Sequence, residues 1–217
     1  MAGVVVSVNG GTPRAVPYRG NQVRTAIWKE PVSGRVKVGG HKVEGDEQGN
    51  PEVHGGPDKA VYAYAAEDYE WWSSELGREL GPATFGENLT LRGVDVSHAL
   101  VGERWRVGGA LLEVAQPRIP CFKLGIKMGS QRFPARFAAA GRPGAYLRIV
   151  TEGEIAAGDP AEVVHRPGHD LSVAEVSRIY HDDHAGAGRL LQVPELACTW
   201  RPWAEKFATT GGPRTRG

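Results

Sequence analysis

Only two cysteines, Cys121 and Cys198, occur among the 217 residues. They allow one disulfide at most, so no disulfide framework is available, and a reducing cytoplasm is the simplest expectation for the compartment. Two thiols also fall short of the four ligands of an ordinary iron–sulfur cluster. Neither sign of charge prevails: 26 basic against 25 acidic side chains leave a formal net charge of +1. That argues against a nucleic-acid partner or an anionic membrane surface. No apolar run approaches the roughly 18 residues a bilayer crossing needs. The opening Met-Ala-Gly-Val-Val-Val-Ser-Val has no basic lead-in and reads as a first strand, not a signal peptide. Walker loop, dinucleotide fingerprint, Gly-x-Ser-x-Gly elbow and His-Glu-x-x-His are all absent. With neither cluster nor dinucleotide fingerprint, any redox chemistry here calls for electrons from a separate reductase.

Glycine, at 30 residues, and proline, at 15, are abundant, and the apolar runs are short and rich in β-branched side chains. That is the pattern of many brief strands joined by tight turns. Strands are expected over 4–8, 35–38, 60–64, 89–91, 105–107, 110–114, 145–150 and 161–164, with Gly108-Gly109 as a hairpin turn. So many strands with so few helices between them favour a mainly β fold, a closed or strongly coiled β-barrel spanning 1–166. Helices are expected over 65–76, where Tyr69, Trp72 and Leu76 share a face, and more weakly over 132–140. Near Arg166-Pro167-Gly168 the character changes. Ser172-Val173-Ala174-Glu175 fits a capping box. Further helices over 187–193 and 194–207 complete a helical appendage at 170–208, followed by a disordered tail at 209–217. Trp200-Arg201-Pro202-Trp203 is expected to pack on the barrel, and Cys198 beside it to be core.

The other cysteine has a different setting. Gln116-Pro117-Arg118-Ile119-Pro120-Cys121-Phe122-Lys123 places it between two prolines and two cations. The prolines fix φ on both sides of Ile119 and hold the thiol in one pose. Neighbouring Arg118 and Lys123 favour a thiolate, which suits a nucleophile, a redox thiol or a soft metal ligand. Two glycine-rich stretches stand out besides. In His54-Gly55-Gly56-Pro57-Asp58-Lys59 adjacent glycines allow backbone N–H groups to converge on an anion near Lys59. Phe85-Gly86-Glu87-Asn88-Leu89 is a turn into a strand carrying a carboxylate and an amide. A zinc site built from His54 and Cys121 lacks ligand pairs at zinc spacing. His181-Asp182-Asp183-His184 reads as a solvated turn, and Trp71-Trp72 as core packing without the basic groove that a nucleic-acid platform needs.

Taken in order, Glu44-Gly45-Asp46 with His54 to Tyr62, Phe85 to Thr90, and Gln116 to Leu124 resemble the MOSC family, domains named after the C-terminal part of molybdenum cofactor sulfurase. Thr25-Ala26-Ile27, Pro31-Val32-Ser33-Gly34 and the helical stretch from Leu171 to Phe207 resemble its YiiM-like branch. The resemblance implies a barrel akin to that of pyruvate kinase and a molybdenum cofactor, with Cys121 as the single protein ligand to the metal. It implies that Arg118 and Lys123 keep the thiol ionised or hold cofactor anions, and that Gly55, Gly56 and Lys59 cradle an anion. His54 and Asn88 would supply directional hydrogen bonds, Arg24 and Lys29 secondary phosphate contacts, and Glu87 a proton. The implied activity is reduction of N-hydroxylated compounds, such as N-hydroxylated purine bases, by two electrons and two protons with release of water. A carrier using a Cys121 persulfide and a metal-free thiol enzyme are the alternatives. Ala145 stands where relatives often have a tryptophan, which would remove an aromatic ring from above the substrate.

Overall fold

The computed structural model describes residues 2–47 and 55–208. Seven strands close into a barrel: β1 (Gly3–Gly10), β7 (Val61–Ala65), β8 (Leu89–Arg92), β9 (Arg104–Val107), β10 (Ala110–Pro117), β11 (Ala145–Thr151) and β13 (Pro160–His165). Going round, the order is β13-β9-β10-β11-β7-β8-β1, and β1 returns to β13 with Gly3 opposite Ala161. Every adjacent pair is antiparallel except β7 and β8, which run parallel. Their connection carries helix α1 (Ala66–Leu76) across the outside.

Alternation explains the interior. Val5, Leu91, Val107, Leu112, Val114 and Leu147 project inward and are fully buried. Strand β7 is buried on both faces, so Val61, Ala63 and Ala65 join the barrel core while Tyr62 and Tyr64 point the other way. There they meet Trp72 of α1, Phe85, and Phe133 and Phe137 of α3 (Phe133–Ala139) in a second, aromatic core. The rings of Trp72 and Phe137 stack at 5.8 Å with an interplanar angle of 4°. Trp71-Trp72 is thus core packing on its Trp72 side, as expected.

Five short elements were not expected from the sequence. β2 (Arg14–Tyr18) and β3 (Asn21–Thr25) form a hairpin, turned by Arg19 and Gly20 at φ of 49° and 81°. It has a single apolar pair, Val16 opposite Val23, and Pro17 within the first strand argues against a strand reading. β4 (Glu30–Pro31) extends the sheet from β1, and β12 (Gly153–Ile155) pairs with β5 (Val36–Gly39), which pairs with β6 (Lys42–Val43).

The C-terminal segment packs on the barrel. Ser172 Oγ caps α4 (Val173–His181) by accepting the N–H of Glu175 at 3.1 Å, as the capping box predicts. Val173, Val176, Ile179, Leu190 and Trp200 belong to the same buried cluster as the barrel interior. The helices expected over 187–193 and 194–207 shrink to α5 (Ala187–Leu190) and α6 (Arg201–Ala208), with single 3-10 turns at His184–Gly186 and Cys198–Trp200. Pro194 accounts for the break, since it lacks a donor and biases Val193 away from helix. Cys198 is exposed, which corrects the expectation that it is core. The proposed tail, 209–217, lies outside the described residues. Among the described residues no helix is long and apolar enough to cross a membrane.

Candidate functional site

The segment after β10 is where the barrel opens. Arg118, Ile119 and Pro120 link the strand to Cys121, which stands at the N-cap of α2 (Phe122–Lys127) with φ −122° and ψ 173°. This six-residue helix was not expected, since it is too short for a period to show and carries Gly125. Cys121 is half-buried and lines a cavity of ≈ 110 Å³ on the outer face of the barrel.

One wall is the tyrosine pair. Tyr62 of β7 and Tyr146 of β11 are directly opposed across the strands, share the outward face and sit with ring centroids 5.1 Å apart. Ala145, one residue earlier on β11, points into the barrel core and is fully buried. That position carries no group toward the cavity, and the aromatic ring that β11 presents there is Tyr146. A second wall is Thr25, Ala26 and Ile27 beyond the hairpin, with Lys29 and Asp46. Phe85, Gly86 and Asn88 complete it. Gly86 has φ 80°, and a Cβ there would stand 2.8 Å from the Ile27 side chain, so the turn needs glycine on both counts.

Cations converge on this cavity. Arg118, Lys29, Lys59 and Lys123 all line it. Arg118 is 6% exposed, lies 5.3 Å from the Tyr62 ring and 5.5 Å from the Phe137 ring, and its NH1 has no hydrogen-bond partner among the described residues. Burial pulls its pKa down, but charge coupling to Tyr62, Tyr146 and Cys121 outweighs that and holds it above the ordinary value. Lys59 is pushed down by burial against the pull of Asp58. Lys29 is pushed down by burial as well, although it forms an ion pair with Asp46.

Lys127 lies behind this wall. It donates to the carbonyls of Ile27 at 2.9 Å and Ala83 at 2.6 Å, and burial pushes its pKa down to about 8. The unfolded chain keeps that proton to about pH 10.4. Between pH 8 and 10.5 the unfolded state therefore binds more protons, and this residue makes stability rise with pH. The unfolding free energy of wild type relative to Lys127→Met is expected to climb by about 3 kcal/mol across that window. Denaturant titrations at several pH values would show it; a flat difference would mean an ordinary lysine.

The remaining expected site residues fall in three places. Gly55 and Gly56 carry the turn that delivers Lys59, with Gly56 at φ 94°, but do not themselves line the cavity. Asn88 lines it, yet its side chain is engaged inward: Oδ1 accepts from Tyr62 N–H at 3.1 Å, and Nδ2 donates to Asp46 at 2.9 Å and to the Asn9 carbonyl at 3.3 Å. Arg24 is exposed on β3 and turned away, because strand alternation sends Thr25 inward instead. Glu87 is fully buried and does not reach the cavity. Its oxygens accept from Ala83 N–H at 2.6 Å, Thr90 hydroxyl at 2.7 Å and Tyr69 hydroxyl at 2.7 Å. Gly86 and Asn88 face the cavity, so the residue between them faces away. His54 lies outside the described residues. Among the described residues no cluster of three or more His, Cys, Asp or Glu side chains could hold a metal; His181 ends α4 and His184 begins the 3-10 turn that follows.

Sequence reasoning missed Tyr62, Tyr146 and Asp46. The signal for the tyrosines was available, since both alternate with small buried residues on strands whose inner positions were legible.

Comparison with known proteins finds relatives over nearly the whole chain. A MOSC domain is matched over residues 50–162. The uncharacterized protein YflK of Bacillus subtilis is 37% identical over 200 residues, covering 91% of this chain and 90% of that protein. The crystal structure of YiiM from Geobacillus stearothermophilus superposes with a TM-score of 0.77 at 33% identity, covering 94% and 98% of the two chains. A protein of Gibberella moniliformis named "Reductase" is 29% identical over 218 residues, which are 99% of this chain but 38% of that one.

Proposed function

The chain belongs to the MOSC domain family, in its YiiM-like branch, and from that premise we propose that it is a molybdenum-cofactor-dependent reductase of N-hydroxylated compounds. The observation that carries this reading is Arg118: a buried guanidinium with an unpartnered N–H, beside a half-buried thiol, in a cavity lined by three lysines. An orphan cationic donor of this kind is costly unless an anion completes it. The donor set fits a pterin that ends in phosphate and carries a sulfur-ligated metal. A single soft thiolate suits such a metal, and the cations suit the phosphate.

Arg118, Lys59 and Lys123 would hold the anionic tail, and Cys121 would ligate the metal. Bound there, the cofactor supplies the two-electron redox chemistry. Tyr62 and Tyr146 form the wall beside it; burial raises both phenols, so they stay protonated at neutral pH, and since Tyr62 already donates its hydroxyl to the Pro143 carbonyl at 2.8 Å, Tyr146 is the one that would donate to the cofactor. Phe122, 46% exposed next to Cys121 and 5.3 Å from the Tyr18 ring, offers an apolar rim for a planar heteroaromatic substrate. The overall change is R–NHOH + 2e⁻ + 2H⁺ giving R–NH₂ + H₂O. The electrons come from a separate donor. In the fungal relative, most of the length lies outside the match, which leaves room for such a module in the same chain.

The test is molybdenum and pterin content of protein made in a cofactor-competent host, followed by turnover of an N-hydroxylated purine with reduced viologen as donor. Near-stoichiometric cofactor with amine product supports the reading. Cyanide-releasable sulfur without molybdenum would replace it with the persulfide carrier, and alkylation-sensitive activity in metal-free protein with a thiol enzyme.

A further inference from the structure

Beside the cavity a buried amide joins the C-terminal helices to the anion-binding turn. Gln116 lies on β10 opposite Tyr146 and shares its outward face. Both ends of its carboxamide are engaged. Oε1 accepts the indole N–H of Trp200 at 2.9 Å, and Nε2 donates to the carbonyl of Asp58 at 3.1 Å. Asp58 is also held through its carboxylate by Nε of Arg148, whose NH1 bonds Glu113 at 2.9 Å. One residue beyond Asp58 is Lys59, and two beyond Gln116 is Arg118, both in the cavity wall. Trp200 is itself fixed: its ring stands edge-on to Tyr180 at 5.4 Å, and the nearby Ala197 N–H bonds the Ala115 carbonyl at 3.2 Å.

We infer that Trp200 and Gln116 are positioning residues of the anion site, through which the C-terminal segment sets the Gly55–Lys59 turn against Arg118. A carboxamide with both ends satisfied has one orientation. Without the indole donor, Gln116 Oε1 is a buried acceptor lacking that partner, and the amide gains by rotating toward another donor. Rotation withdraws Nε2 from Asp58 and lets the turn relax, so Lys59 and Arg118 no longer converge on one anion. The inference rests on the proposed function only for the identity of that anion.

A charge-sensitive reading of Cys121 tests it without any cofactor. In a Cys198→Ser background, which removes the exposed thiol, full-length protein from a host lacking the pterin is alkylated with iodoacetate and with neutral iodoacetamide. The ratio of the two rates reports the cationic field at Cys121, and Arg118→Met sets the scale. Trp200→Phe and Gln116→Leu are each expected to lower the ratio by about threefold to tenfold, the worth of one buried hydrogen bond, while the iodoacetamide rate holds. The double variant should fall no further than either single one. Trp203→Phe, which loosens the packing on Tyr180, Trp200 and Phe207 but leaves the indole donor of Trp200 on Gln116, should keep the wild-type ratio. Wild-type ratios in Trp200→Phe and Gln116→Leu would overturn the inference, as would equal losses in Trp203→Phe accompanying a lower melting temperature. If wild type never loads molybdenum, the proposed function fails, yet the ratios still decide the role of Trp200.

Discussion

Cys121→Ser protein, purified from a cofactor-competent host, is expected to retain less than about a hundredth of the wild-type molybdenum. Loss of an outer-shell partner costs a metal site about tenfold to a hundredfold in affinity, and loss of the sole protein ligand should exceed that. The structure makes the experiment clean. Cys121 occupies the N-cap of α2 without a side-chain capping bond, and serine is among the best residues at that position. The variant should therefore melt at or above the wild-type temperature, so missing metal could not be blamed on missing fold. Retention of molybdenum at wild-type levels would remove Cys121 from the metal and leave the cations alone to bind the cofactor. The informative comparison is metal content by elemental analysis against pterin content by oxidation fluorescence. A tail still gripped by Arg118 and the lysines leaves some pterin when the metal is lost.

Arg118→Met should split function from stability. Charge-assisted hydrogen bonds contribute about 1.5–3 kcal/mol each, so losing one should reduce cofactor content by about tenfold to a hundredfold under limiting supply. In cofactor-free protein the same change is expected to raise the melting temperature or leave it unchanged. A fully buried cation with an unmet N–H is a burden to the empty protein. Methionine fills comparable space between the Tyr62 and Phe137 rings and makes favourable sulfur–aromatic contacts there. Arg118→Lys should not restore binding, since a compact ammonium cannot keep the planar contact with the rings while reaching a second acceptor. Differential scanning calorimetry on cofactor-free protein and pterin analysis on loaded protein read the two effects separately. A parallel fall in both would mean that Arg118 is a structural residue with a partner on the protein.

How far the sequence discloses this molecule depends on how local each signal is. The barrel strands were legible because inner and outer side chains alternate over several residues. The hairpin of β2 and β3 was not: Pro17 interrupts it, and Val16 opposite Val23 is its one pair of apolar side chains. Helix α2 has only six residues, one of them glycine, and its existence follows from how the chain turns after Pro120. In the site itself, Cys121, Arg118, Lys59, Lys123 and Asn88, taken from three separate motifs, stand around one cavity, and Lys29, from outside those motifs, stands with them. Glu87 stands in the turn before β8, and the motif as a string does not show that Tyr69, Ala83 and Thr90 hold its carboxylate away from the cavity. Tyr62 and Tyr146 come from segments about eighty positions apart, and only the pairing of β7 with β11 brings them together. Cys198 was placed in the core on composition alone, beside a tryptophan whose ring is buried while the thiol is not.

The closure of the barrel has a consequence for biosynthesis. Gly3 at the start of the first strand pairs with Ala161 in the last, and Trp200 braces the cavity from later still. Contacts so distant in sequence form slowly and late, and neither can form on a ribosome before its later residue, Ala161 or Trp200, has emerged. A growing chain thus has its thiol and its cations in hand long before it has a pocket. Any ligand of that cavity therefore depends on contacts made between parts of the chain far apart in sequence.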